Sequence, residues 1–453
     1  MPQREHLLKI GVSGVRGVVG EFLTPALACE FAQAFGTYVG RGRVVVGRDT
    51  RTSGPSLQHA VACGLLSAGC EVIDVGVLPT PTIQMFAGQS RAKGGIALTA
   101  SHNPPEYNAL KLFNGEGLFF NQYERSELID LYHQSDFYQA SNAEMRKISS
   151  DYVTPMQMHI DRVLKHVDVE RIRNRRFRIA LDGVNGAGSV MSCKFLREHL
   201  KADLHAISVD PTKVFPRIAE PRPDTLGDLA ALVKSTHADI GFAQDPDGDR
   251  LAVCDENGIV LDNDDVLALA VDRALTLKPG NVVVNLTTSS VIDDIAAAHG
   301  CRVYRTPVGE ANVVETMQAV GAVIGGEGSN GGIIFPAVHL CRDSYLGMAM
   351  LLDLMAETGA TVSELAGRLP RYYRRLGKVT FGHGMLGSLM QGLEENFPDA
   401  ATDRSDGLKL IWPEGWIHVR ASNTEPLLRI AAEAKSQAKM AELYGSVTKL
   451  LAG

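Results

Sequence analysis

At 453 residues with 45% hydrophobic and 21% charged residues, the chain fits a globular protein of roughly two to four domains. A net charge of -7 and the lack of any dense Lys/Arg cluster argue against a nucleic-acid partner. Seven scattered cysteines without a C-x-x-C pair, no signal-peptide pattern and no bilayer-length apolar run lead us to expect reduced thiols, no membrane partner and a cytoplasmic enzyme.

The first segment holds Gly11, Gly14 and Gly17 around Arg16, a tight backbone able to present the guanidinium to an anion. Thr24-Pro25 reads as a helix start, and the helix runs to about Tyr38. The strand Val44–Val46, the polar loop Gly47–Gly54, a helix to about Ala68 and the strand Val72–Val75 follow. The same rhythm returns at Ile179–Asp182, with a helix from Ser189 to about Leu200, and at Val282–Asn285, with a helix to about His299. Three such units predict three similar α/β domains in tandem. The loop Gly183–Ser189 lacks a Walker lysine and reads as structural, and Arg171–Arg176 reads as a solvated basic face. The last eighty or so residues carry two strands around Pro413-Glu414-Gly415 and a final helix from about Ser436, the pattern of a small α+β domain. Boundaries are expected at 1–151, 152–255, 256–372 and 373–453.

Four loops carry the chemistry. An apolar strand, Gly95–Leu98, ends in Thr99-Ala100-Ser101-His102-Asn103-Pro104, which puts the Ser101 hydroxyl at the mouth of a sheet. By itself this hexapeptide reads equally as an ordinary polar turn. Asp245-Pro246-Asp247-Gly248-Asp249-Arg250 offers three carboxylates at alternate positions with a glycine for the bend, a set suited to octahedral Mg²⁺; the bland alternative is an acidic surface turn. Gly325–Gly332 places Glu327 and Ser329 in a glycine-rich bend where they can meet vicinal hydroxyls, or simply close a turn. Arg420, Ser422, Asn423 and Thr424, with Arg429 beyond, offer donors to a phosphate or form a polar strand end with a salt-bridged arginine.

Taken together and in this order, the Ser101 loop, the Asp245–Arg250 loop, the Glu327–Ser329 loop and the Arg420–Thr424 loop resemble the α-D-phosphohexomutase superfamily over the whole chain. The resemblance implies three mixed-sheet α/β domains and a C-terminal domain like the TATA-binding protein, arranged around a central cleft. It implies that Ser101 carries a phosphoryl group and that Mg²⁺ is held by that group with Asp245, Asp247 and Asp249. It implies interconversion of hexose 6-phosphate and hexose 1-phosphate through a bisphosphate, with a hexose bisphosphate as activator. Lys111 matches an active-site lysine, expected to serve proton transfer and charge stabilisation rather than to be a solvated strand residue. Arg16 and His102 match positions beside the phosphoserine, and Arg250 one beside the metal loop. Glu327, Ser329 and Asn330 match the sugar loop; Arg420, Ser422, Asn423, Thr424 and Arg429 match the phosphate site. Many bacterial members end the sugar loop in a histidine; here Gly331 stands in its place, and with Gly332-Ile333-Ile334-Phe335-Pro336 and Cys341-Arg342-Asp343 beyond it the pattern resembles the archaeal-type phosphoglucosamine mutases. Glucosamine phosphate is therefore favoured over glucose or mannose phosphate, with the chain a monomer or homodimer. A Mg²⁺-dependent phosphatase and a non-catalytic sugar-phosphate sensor are the readings from other classes.

Overall fold

The computed structural model describes residues 9–11, 14–380, 386–421 and 427–452. β-Branched runs such as Val44–Val46 and Val282–Val284 are buried and form sheet centres, as apolar runs bounded by turns should. The first sheet has seven strands in the order Lys9–Gly11, Gly14–Val18, Tyr107–Asn114, Gly94–Leu98, Arg43–Arg48, Glu71–Val77, Ile148–Ser150. The second has four, Leu251–Cys254, Ile240–Gln244, Arg178–Asp182 and Asp203–Ile207. The third has five, Val303–Thr306, Val282–Asn285, Ile324–Glu327, Gly332–Phe335 and His339–Arg342. Each of the three mixes parallel and antiparallel pairs. The fourth, Tyr373–Thr380, Leu427–Ala434, Gly415–Ala421, Leu408–Trp412 and Ala401–Asp403, is antiparallel throughout and packs against the helix Gln437–Ala452. Three α/β units and a different fourth are thus present as expected.

The helix Pro25–Tyr38 begins as its sequence predicts: Leu27 N donates to Thr24 Oγ1 at 3.2 Å and proline occupies the first turn. Two expectations need correction. The helix after Ser189 is α-helical only to Lys194 and continues as a π-turn over Phe195–His199. The basic stretch 171–176 is not merely a solvated face. Arg171 Nη2 lies 2.7 Å from Asp353 and 2.9 Å from Glu357, tying the helix Val169–Arg175 to the helix Ser344–Thr358. Charge spacing alone does not reveal a partner that lies far along the chain.

The Gly183–Ser189 loop supports its neighbour. Ala187 N donates to Pro246 O at 2.7 Å, and a Cβ on Gly186 would come within 2.6 Å of that same oxygen. Only glycine allows the two backbones to approach so closely. All seven cysteines are free, and no helix among the described residues is long and apolar enough to cross a membrane.

Candidate active site

The first three loops sit at carboxyl ends of strands, where open α/β sheets place their ligands, and Arg420 lies near the carboxyl end of Gly415–Ala421. Hairpin geometry positions three of them. The strands Gly94–Leu98 and Tyr107–Asn114 pair antiparallel with Ala97 opposite Lys111, so the connection brings Ser101 back beside that lysine. Gln244 pairs with Leu251, which leaves Asp245–Arg250 as the intervening loop. Gly248, at φ +66°, takes the left-handed bend there. Glu327 pairs with Gly332 around the sugar-loop candidate, and Leu251 N donates to Gly331 O at 2.9 Å, joining that loop to the aspartate loop.

Ser101 lies at φ +49°, a left-handed conformation that costs a non-glycine residue on the order of 1–3 kcal/mol. Arg51 holds it there. This buried guanidinium donates from Nη2 to Ser101 O (2.6 Å) and Asn103 O (2.8 Å), and from Nη1 to Pro104 O (2.6 Å) and Tyr107 O (3.0 Å). Its Nε donates to Asp49 at 3.0 Å, and Asp49 accepts from Thr99 Oγ1, which in turn accepts from Ser101 N. Sequence reasoning saw only a polar loop at Gly47–Gly54. The adjoining strand and the Asp-x-Arg spacing were the available signal.

Ser101 Oγ donates to Asp245 Oδ2 at 2.7 Å. Lys111 is 2% exposed, which removes the solvated-lysine alternative, and its Nζ lies 2.6 Å from Asp247 Oδ2 and 3.3 Å from Asp249 Oδ2. Thr80 also donates to Asp247 Oδ2. Carboxylate oxygens of Asp245, Asp247 and Asp249 lie within 4.8 Å of one another, all buried. Burial and the neighbouring Asp247 and Asp249 push Asp245 well above the usual carboxylate range. Burial acts the same way on Asp247, but Lys111 and its hydrogen bonds outweigh it and hold Asp247 low. Lys111 behaves as the counterpart: burial opposes its charge, yet Asp247 and Asp249 win and raise it. Asp247 Oδ1 and Asp249 Oδ1 are buried without a hydrogen-bond partner. Orphaned oxygens on crowded carboxylates are what a hard divalent cation with oxygen ligands would satisfy, so these residues fit Mg²⁺.

The other expected residues that the structure describes converge on the same cleft. One part, about 280 Å³, is lined by Arg16, Ser101, His102, Lys111, Arg250 and Glu327, among others. A second, about 490 Å³, adds Ser329 and shares His102, Asn330, Arg420 and Arg429 with the first. Arg16 Nη1 donates to Asn103 Oδ1 at 2.7 Å, and Arg250 Nη1 to Glu220 at 3.0 Å. His102 is pushed well below the imidazole range by Arg250 first, then by burial and Arg16, so it is neutral. Arg420 pairs directly with Arg429 across two antiparallel strands. Like charges so placed repel, and an anion between them removes the penalty. Ser422, Asn423 and Thr424 lie outside the described residues.

Glu327 is engaged more fully than its sequence suggests. Oε1 accepts from Asn285 Nδ2 (3.0 Å) and Gly309 N (2.9 Å), and Oε2 from Arg342 Nη1 (3.1 Å). Arg342 also reaches Asp249 at 2.7 Å and Glu310 at 2.9 Å. Neither Arg342 nor Glu310 is among the site residues expected from the sequence. Gly331 sits at φ +67°, and a Cβ there would meet Leu251 O at 2.8 Å, which gives glycine a local physical reason to occupy the position.

All four segments match models of one family. Residues 7–139, 157–258 and 262–373 match phosphoglucomutase/phosphomannomutase alpha/beta/alpha domains I, II and III, and 388–450 match its C-terminal domain. A "Phosphoglucomutase/phosphomannomutase" of Thermococcus kodakarensis is 40% identical, over 97% of this chain and 98% of its own. A "Probable phosphoglucosamine mutase" of Methanopyrus kandleri is 38% identical, over 96% and 95%. The crystal structure of a phosphoglucomutase/phosphomannomutase family protein from Burkholderia thailandensis superposes with a TM-score of 0.86 at 27% identity, covering 98% of this chain and 96% of that one. With Ser101, Arg250 and Arg420 lining one cleft, the chain belongs to the phosphoglucomutase/phosphomannomutase family of isomerases.

Proposed function

We propose that the protein interconverts hexose 6-phosphate and hexose 1-phosphate, with glucosamine phosphate as the preferred substrate, through a phosphorylated Ser101 and a hexose bisphosphate. The observation that carries this reading is the Ser101 hydroxyl, 2.7 Å from Asp245 in a cleft that continues to the paired Arg420 and Arg429. A group able to bear phosphate thus faces a cationic site for a second one. The relatives named as phosphoglucosamine mutases support the choice of sugar, and those named for glucose and mannose keep the alternatives in the test.

In the first transfer the phosphoryl on Ser101 passes to the free hydroxyl of the sugar phosphate. Arg420 and Arg429, with Ser422, Asn423 and Thr424, hold the phosphate that does not react. Glu327, Ser329 and Asn330 hold sugar hydroxyls, so either orientation of the bisphosphate presents similar groups. Asp245, Asp247 and Asp249 would hold Mg²⁺ together with the Ser101 phosphate, and the ion when bound supplies neutralisation of the phosphoryl charge. Lys111 places its ammonium between two of these aspartates and balances their charge. Arg16, His102 and Arg250 line the approach to Ser101, and the two guanidiniums place positive charge beside its phosphoryl group. After the bisphosphate turns over in the cleft, its other phosphoryl returns to Ser101. Phosphoryl transfer needs mainly this positioning and charge neutralisation.

The test is a coupled assay of the purified protein on the 1-phosphates of glucosamine, glucose, mannose and N-acetylglucosamine, with a trace of hexose bisphosphate. Conversion to the 6-phosphates, fastest for glucosamine, is expected. Failure with all four refutes the proposal, and release of inorganic phosphate in place of an isomer points to a phosphatase.

A further inference from the structure

The cleft contains one carboxylate that the reading above does not use. Glu310 opens the helix Glu310–Val320, is 7% exposed, and neither of its side-chain oxygens accepts a hydrogen bond. Its one close charged neighbour among the described ion pairs is Arg342, whose Nε lies 2.9 Å from Oε2. That guanidinium also serves Asp249 and Glu327. Asp249 has Lys111 as well, and Glu327 accepts from Asn285 and Gly309. Glu310 is therefore the least satisfied of the three. It lines the cavity that contains Ser101 and Lys111. It also lines a second cavity of about 220 Å³, together with Glu116, Glu124 and Glu315, whose lining has no lysine or arginine among the described residues.

Transfer to a sugar hydroxyl requires an acceptor for the hydroxyl proton, and return of the phosphoryl requires a donor. The other groups in the cleft are poorly suited. Lys111 is already an ammonium held by two carboxylates. Glu327 has its oxygens occupied, His102 faces Arg250, Arg16 and Arg342, and the sugar loop ends in Gly331 rather than an imidazole.

We propose that Glu310 is the general acid and base of the phosphoryl transfers, an assignment that rests on the mutase reading. In the first transfer a lone pair of the sugar hydroxyl oxygen forms the new O–P bond while its proton passes to the Glu310 carboxylate. The Ser101 Oγ–P bond breaks with its electron pair on Oγ, which takes a proton from water. In the return transfer the protonated Glu310 gives its proton to the departing sugar oxygen, and Ser101 Oγ loses its own to water. The carboxyl ends each cycle as it began. Burial pushes Glu310 up to about 7, with Arg342 pulling it down and Asp249 and Glu327 pushing it further up, so both forms are present near neutrality. Lys111 also pulls it down, Arg16, Arg250, Arg420 and Arg429 line the same cavity, and Glu116, Glu124 and Glu315 line the second one.

The experiment compares wild type, Glu310→Gln and Glu310→Ala in steady-state mutase assays across pH, with and without added formate. The expected result is a fall in kcat of about 10²–10⁴-fold in both variants, with KM changed only a few-fold. The pH limb near neutrality disappears, and formate restores turnover to Glu310→Ala. A Glu310→Gln variant within a few-fold of wild-type kcat overturns the assignment. So does a loss of kcat that leaves the pH limb intact and does not respond to formate. A wild type inactive on every sugar phosphate refutes the mutase reading itself, whereas an active wild type with an active Glu310→Gln refutes only the role of Glu310.

Discussion

Replacing Arg51 by lysine tests whether the nucleophile's conformation is imposed from outside its own loop. The guanidinium has five N–H donors, and five acceptors surround it: the carboxylate of Asp49 and the carbonyls of Ser101, Asn103, Pro104 and Tyr107. A lysine keeps the charge beside Asp49 but has three donors on one nitrogen, so at least two of those buried acceptors lose their partner. At about 1–3 kcal/mol for each unsatisfied group, the loop loses about 2–6 kcal/mol of local support. That loss is as large as the strain of about 1–3 kcal/mol in holding Ser101 at φ +49°, or larger, so the serine relaxes away from Asp245. A displacement of about 1 Å at a reacting atom lowers kcat about 10²-fold. Hydrogen exchange of the peptide spanning 99–107, measured beside steady-state kinetics, separates this from global unfolding: protection falls there while the other sheets keep theirs. An Arg51→Lys protein with wild-type kcat and unchanged protection at 99–107 would refute the reasoning.

Mg²⁺ added to the metal-free protein should raise its first melting transition, and Asp245→Asn, which keeps the shape of the protonated acid, should melt no lower in EDTA and lose most of the Mg²⁺-dependent shift; an undiminished shift in that variant would contradict the aspartate site. Burial pushes Lys409 down to about 6, with Arg305 also lowering it, while its Nζ donates to Leu286 O. Because an unfolded lysine titrates near 10.4, the unfolded chain binds the extra proton between these values, and stability should rise with pH from about 6 to 10 by at most about 1.4 kcal/mol per unit. The penalty is fully present below pH 6, and Lys409→Met should flatten the slope, read from the fluorescence of Trp412 and Trp416, the only tryptophans, both in the C-terminal sheet. Gly186→Ala should cost about 1–3 kcal/mol through the clash with Pro246 and weaken the Mg²⁺-dependent shift, since the aspartate loop must move to make room.

The parts of the site that the sequence discloses are those whose chemistry is local. A serine after a buried strand, three carboxylates about a glycine bend and an arginine at a strand end each state their function within six or seven residues. Arg51, Arg342 and Glu310 do not, because their roles are set by partners brought near only by tertiary structure. Arg51 acts on carbonyls about fifty residues away, and Arg342 joins carboxylates from two sheets. A glutamate in the first turn of a helix is so common a complement to the helix dipole that Glu310 carried no signal of its own. The same physics misled at Arg171, whose partners lie about 180 residues on. For the fold, period and turn residues disclosed the three α/β units. The cross-strand pairing of Arg420 with Arg429, which gives the phosphate reading its physical basis, depends on register and was not legible.

The most direct test of the central claim follows a labelled phosphoryl group. Incubation with hexose bisphosphate bearing ³²P should label Ser101 and no other residue, and a chase with unlabelled glucosamine 6-phosphate should carry the label into sugar phosphates. Label that appears on another residue, or leaves the protein as inorganic phosphate, would contradict the account.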